Sequence, residues 1–163
     1  MANTPKKTKC LENLKSQLQG IDGNDPYHYD FTVQDINAKP DSISSSDYPA
    51  LIINESQEVI YHLNSSNYNA STGKREEMDE YGWFVLVEGI LKINEYKEKK
   101  YQQFHNTEFD IIYAVGQDTQ LGGNCDLIFP RRRQSYIDYD NQELYTSVIF
   151  NIKYDFNYKE GII

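Results

Sequence analysis

Residues 81–93 read Tyr-Gly-Trp-Phe-Val-Leu-Val-Glu-Gly-Ile-Leu-Lys-Ile, and the fold is decided there. Trp83, Val85, Val87, Leu91 and Ile93 share one phase of a two-residue repeat, and Phe84, Leu86, Glu88, Ile90 and Lys92 the other. Successive side chains of a strand point to opposite faces. Two largely apolar phases therefore predict a central strand covered on both faces. Gly89 predicts a bulge or a close approach of another element.

The period changes on the C-terminal side. Tyr101, Phe104, Glu108, Ile111, Ile112 and Val115 recur at close to 3.6 residues, which predicts a helical region within 94–121. Asn106-Thr107-Glu108 offers an internal cap that would split it in two, and Gly122-Gly123-Asn124 is a stop signal. Cys125–Phe129 opens the next strand, which Pro130 breaks or confines to a sheet edge. After Arg131-Arg132-Arg133 and Tyr136–Tyr139, Asp140-Asn141 marks a turn. Leu144, Thr146, Val148, Phe150, Ile152, Tyr154 and Phe156 then alternate along a final strand.

On the N-terminal side, Val59, Tyr61 and Leu63 alternate, and Ala50–Glu55 is an apolar run introduced by Pro49. Residues 40–46 read as loop, and Tyr27–Ala38 as a strand region carrying Tyr29, Phe31 and Val33 in one phase. Leu11, Leu14 and Leu18 lie at i, i+3 and i+7, one face of a helix that Gly20 and Gly23 end. Residues 1–8 are polar and expected to fray. Residues 64–80, rich in Asn, Ser and charge, predict a long loop or the arm of an extended hairpin. The expected order is α-β-β-β-α-β-β: an α+β fold with a mostly antiparallel sheet of about five strands and two main helices, in one domain spanning 1–163.

The chain has 163 residues and a formal net charge of −9. That balance argues against a free-standing DNA-binding domain or an anionic membrane surface as target. The 14 tyrosines and 7 phenylalanines suit strands and also interfaces. Cys10 and Cys125, the two cysteines, lack the spacing of a zinc site or disulfide framework. The first ten residues contain no apolar h-region, and no apolar run reaches membrane-spanning length. A soluble protein made in the cytoplasm is expected, with no membrane partner.

The sequence contains no GxxxxGK[ST], GxGxxG, GxSxG or HExxH. His28, His62 and His105 are scattered, and a catalytic histidine needs partners placed by the fold. Asp138, Asp140, Asn141 and Glu143 cluster at a turn without the spacing of a calcium loop. Glu95, Lys97, Glu98 and Lys100 give the E-x-K spacing of some metal nucleases. The same spacing suits ion pairs on a helix, such as Glu95 with Lys99. No catalytic residue, cofactor or metal is expected. The competing enzyme reading is a small metal-dependent nuclease using Glu95 or Asp110, and a third reading is a monomeric module binding sugar or peptide through its tyrosines. Arg131-Arg132-Arg133 is the one dense basic run, and arginine forks pair bidentately with carboxylates.

Leu11–Leu18, Asp47-Tyr48-Pro49-Ala50-Leu51-Ile52-Ile53, Trp83–Gly89, Leu121-Gly122-Gly123 and Val148–Tyr154 follow one another in an order that resembles the tail terminator (minor tail, head–tail joining) proteins of long-tailed bacteriophages. The likeness covers nearly the whole chain as a pattern. It implies a structural virion protein of the tail and neck, assembled in the host cytoplasm. The protein would form a homo-oligomeric, hexameric ring that caps the tail tube protein, ends tube polymerisation and presents a surface to the head–tail connector. DNA would pass the lumen without specific binding, which suits a negative chain. Interface residues expected on this basis are Tyr68, Met78, Arg131, Arg132, Arg133 and Tyr136. Another neck or tail completion protein is the alternative within the same class.

Overall fold

A computed structural model describes residues 4–62, 67–69, 74–76 and 79–156, with side chains over 4–55 and 83–154. Helix α1 (Lys6–Leu18) is followed by the short strand β1 (Thr32–Val33), then β2 (Ala50–His62). Next come β3 (Asn67–Asn69), β4 (Lys74–Glu76) and β5 (Asp79–Lys92). Helix α2 (Lys100–Gly116), β6 (Leu127–Asp138) and β7 (Glu143–Phe156) complete the order. The main sheet has five strands in the order β1-β2-β5-β7-β6, while β3 and β4 pair separately. Only β1 lies parallel to its neighbour; the other pairs are antiparallel. The protein is thus α+β, with two helices and a mostly antiparallel five-stranded sheet.

Strand β5 sits at the centre, paired with β2 on one side and with β7 from Asp79↔Phe156 to Lys92↔Glu143 on the other. Trp83, Val85, Val87 and Leu91 face both helices in one core with Leu51, Ile53, Val148, Phe150, Ile152 and Tyr154. Helix α1 adds Cys10, Leu11, Leu14 and Leu18 to it. Gly89 is a close approach. A Cβ there would lie 2.5 Å from Thr107 Cγ2 of α2, so the glycine lets helix and sheet touch.

Several expectations change. The other phase of β5 is not evenly covered: Ile90 packs with Ile52 and Tyr145 under residues 38–48, but Phe84 and Leu86 are half-exposed. An antiparallel sheet can leave part of one face to solvent. The segment from Tyr27 contributes only two residues of ladder, because β1 pairs with β2 over Thr32↔Ala50 and Val33↔Leu51 alone. Its buried Tyr29 and Phe31 produced the alternation.

Helix α2 starts at Lys100 and runs unbroken past Asn106-Thr107-Glu108 to Gly116. Asn94 takes φ 75° ahead of it, so Glu95 and Lys99 are not one helical turn apart. The buried stripe of α2 only partly follows the apolar one: Ile111 and Val115 are inside, but so are Gln103, Thr107 and Asp110, while Tyr101, Phe109 and Tyr113 are outside. Polar residues are tolerated there because Thr107 Oγ1 donates to the Gln103 carbonyl (2.8 Å) and Asp110 accepts from neighbouring backbone.

Of the two effects expected of Pro130, the sheet edge is the one found. β6 is a sheet edge, and the ladder skips Arg131 between Pro130↔Phe150 and Arg132↔Ile149. A bulge at an edge is where a strand accommodates proline.

Candidate assembly surface

The face of the sheet turned away from the helices carries the alternate phases of four strands. It divides into a covered half and an open half. In the covered half, Glu143 is buried and meets three partners: Lys92 Nζ (2.7 Å), Tyr145 OH (2.6 Å) and Tyr48 OH (3.3 Å). Lys92 also lies 4.2 Å from the centre of the Tyr48 ring. Burial, then the Glu143 charge, pushes the Tyr48 hydroxyl up to about 12. Further along, Glu88 accepts from Ser147 Oγ (2.6 Å), and burial raises its carboxyl above the ordinary range despite that bond. Tyr136 of β6 stacks on Tyr145 at 4.5 Å and 6° between planes, with half its own surface exposed (51%).

The open half is a groove of 560 Å³ lined by Asn54, Glu55, Phe84, Leu86, Ile149 and the two arginines Arg131 and Arg132. Its floor is apolar because Phe84, Leu86 and Ile149 are even-phase residues of β5 and their partner on β7. Its cationic rim exists because β6 is the sheet edge. There the bulge at Arg131 shifts the register, leaving Arg132 opposite Ile149 on this face.

The basic run is thus split by the strand's own alternation. Arg133 turns to the helix side and pairs with Glu108 of α2 at 3.1 Å. Arg131 lies 6.0 Å from the Phe129 ring centre. Among the described residues no carboxylate pairs with Arg131 or Arg132.

Of the residues expected at an interface, Arg131, Arg132 and Tyr136 share β6, with Arg133 on its opposite face. Tyr68 belongs to β3, opposite Arg75 of β4 in the separate two-stranded sheet. Met78 lies outside the described residues. Phe84, Leu86 and Ile149 were missed as surface residues. The phase shared by Phe84 and Leu86 was visible, but a fully covered strand was expected.

Asp110 and Glu95, the residues offered for a nuclease, lie on α2 and in the turn before it. The Asp110 carboxylate is wholly buried and accepts from His28 N (2.9 Å), Tyr29 N (3.0 Å) and the His28 ring (Nδ1, 3.0 Å). Burial raises its pKa, and those bonds oppose the rise. Asp138 is spent on the hairpin turn, where Asn141 donates to both of its oxygens. Among the described residues no three His, Cys, Asp or Glu side chains converge as a metal site.

Cys10 and Cys125, distant in sequence, meet in the core as free thiols. The Cys10 sulfur beside it, then burial, pushes the Cys125 thiol far up. None of the helices among the described residues is long and apolar enough to cross a membrane.

These features define an α+β protein with an arginine-rimmed, partly apolar open sheet face. No protein-family model matches the chain, and no curated protein sequence matches it.

Proposed function

We propose that this chain is a structural virion protein that assembles with copies of itself into a ring. The ring caps a tail tube, ends its polymerisation and offers the attachment surface for the head connector. The observation that carries the assembly role is the open half of the sheet, where half-exposed Phe84, Leu86 and Ile149 form an apolar floor beside Arg131 and Arg132. Apolar surface grouped in this way marks an interaction site, and arginine and aromatic anchors are enriched in interfaces. The tail and neck assignment rests on the succession of elements that resembles the tail terminators. A neck or tail completion protein would use the same surface on the connector without capping a tube.

The test is the mass of the purified protein by light scattering across a concentration series, with negative-stain imaging, followed by addition to polymerising tail-tube protein. A species near six times 19.0 kDa, seen as rings that shorten tubes, is expected. A monomer at every concentration, with tube lengths unchanged, overturns the proposal.

A further inference from the structure

The two edges of the main sheet carry opposite charge. At one edge stands β6, with Arg131 and Arg132 exposed and only the terminal Asp138 as an acid in the strand. At the other edge, residues 30–37 run along the outer side of β2, Gln34 N and Asn37 N donating to Leu51 and Ile53 of that strand and Thr32 N to Pro49 just before it. That segment holds Asp30 and Asp35 and no basic residue. Both aspartates are exposed. One of them, Asp35, also pairs with Lys15 at 3.4 Å, its own side chain 99% exposed. Four strand spacings, roughly 19 Å, separate the two edges.

We infer that copies of this chain join head to tail, the arginine edge of β6 in one copy meeting the acidic edge segment 30–37, with Asp30 and Asp35, of the next. The inference rests on the ring-forming role proposed above and names its interface.

Charge decides the symmetry. A two-fold contact of either edge with itself sets like charges against each other, whereas the basic edge on the acidic edge is attractive. A heterologous contact leaves one edge free at each end, so addition continues until rotation closes a ring. The contact is made by side chains rather than by extending the sheet. Pro130 and the bulge at Arg131 break the outer ladder of β6, and β1 is two residues long. Such features stop indiscriminate strand pairing at an edge. Exposed ion pairs add little affinity but set orientation and register. Burial of Leu127 and Tyr136 (42% and 51% exposed) beside the arginines supplies the apolar part.

Two variants of the full chain test this. One carries Arg131→Glu and Arg132→Glu, making both edges acidic; the other carries Asp30→Lys and Asp35→Lys, making both edges basic. Light scattering should show each alone at least about tenfold weaker in self-association than the wild type. An equimolar mixture should reassemble with the two variants alternating. The wild-type charge is −9, and each variant keeps a net negative charge, so bulk attraction does not explain reassembly. Reassembly also shows that both variants fold.

If the wild type forms rings and both variants do so equally well, the edge assignment fails and the ring stands. Variants that dissociate alone and stay apart when mixed also overturn the assignment. A wild type that stays monomeric alone and with tail-tube protein removes the ring and the interface together.

Discussion

At Gly89 the absence of a side chain decides how near α2 lies to the sheet, because Thr107 Cγ2 occupies the space a Cβ would need. Gly89→Ala should destabilise the fold by about 1–3 kcal/mol, the usual cost of overpacking a core. Adding Thr107→Ser removes the clashing methyl and keeps the hydroxyl bond to Gln103, so the double variant should regain most of the loss in urea melts. Glu88 is a residue whose cost depends on pH. Burial raises its pKa in the folded chain above the unfolded value, which is about 4.3. Its contribution is fully present below that value and is lost as pH rises through the raised folded pKa. Glu88→Gln keeps an oxygen for Ser147 and abolishes the titration. The stability gain of the variant over wild type should be absent at low pH and grow as pH rises towards neutrality, read by thermal melts across that range. The pattern around residues 81–93 pointed to a bulge or a close approach at Gly89, and the structure shows the close approach. The pattern did not show that the neighbour is a threonine, since that depends on which way α2 is turned.

At the level of elements, α1 and the helix-facing phases of β5 and β7 were legible because each carries a period matching its burial. The inner face of α2 was legible only in part. Ile111 and Val115 of the apolar period are buried, but Gln103, Thr107 and Asp110 are buried with them, while Tyr101 of that period lies outside. A sequence period records hydrophobicity alone, while hydrogen bonds satisfied by another segment let polar groups go inside. Asp110 is the clearest instance, since its carboxylate pins the backbone of residues 28 and 29 to the helix. Asp110→Asn exchanges an acceptor for an amide that faces those N–H groups. The variant should lose about 1–3 kcal/mol, the cost of an orphaned buried donor, with faster amide exchange at residues 28 and 29. The half-open sheet face was hidden for a related reason. Two apolar phases of β5 do not reveal that residues 38–48 cover one end and stop short of Phe84 and Leu86. The edge position of β6, by contrast, was announced by Pro130.

For the whole molecule, the charge that matters is its distribution across the sheet more than its total. An assembly oriented by exposed ion pairs weakens with salt, because the screening length shrinks to about 3 Å at 1 M. Ring mass should therefore fall towards the monomer between low and high ionic strength at fixed protein concentration, and an unchanged mass would mean that apolar contact alone holds the copies. Trp83 bears on how such experiments are read. It is the only tryptophan, 1% exposed on the helix side of the sheet, with Lys7 of α1 5.6 Å from its ring. The chain thus carries one indole fluorophore, sealed beneath its first helix and two strands in from β6. Its emission should stay at short wavelength whether copies are joined or separate, and move to the red only when the helix lifts or the core opens, so that the light from a single indole tells disassembly from unfolding.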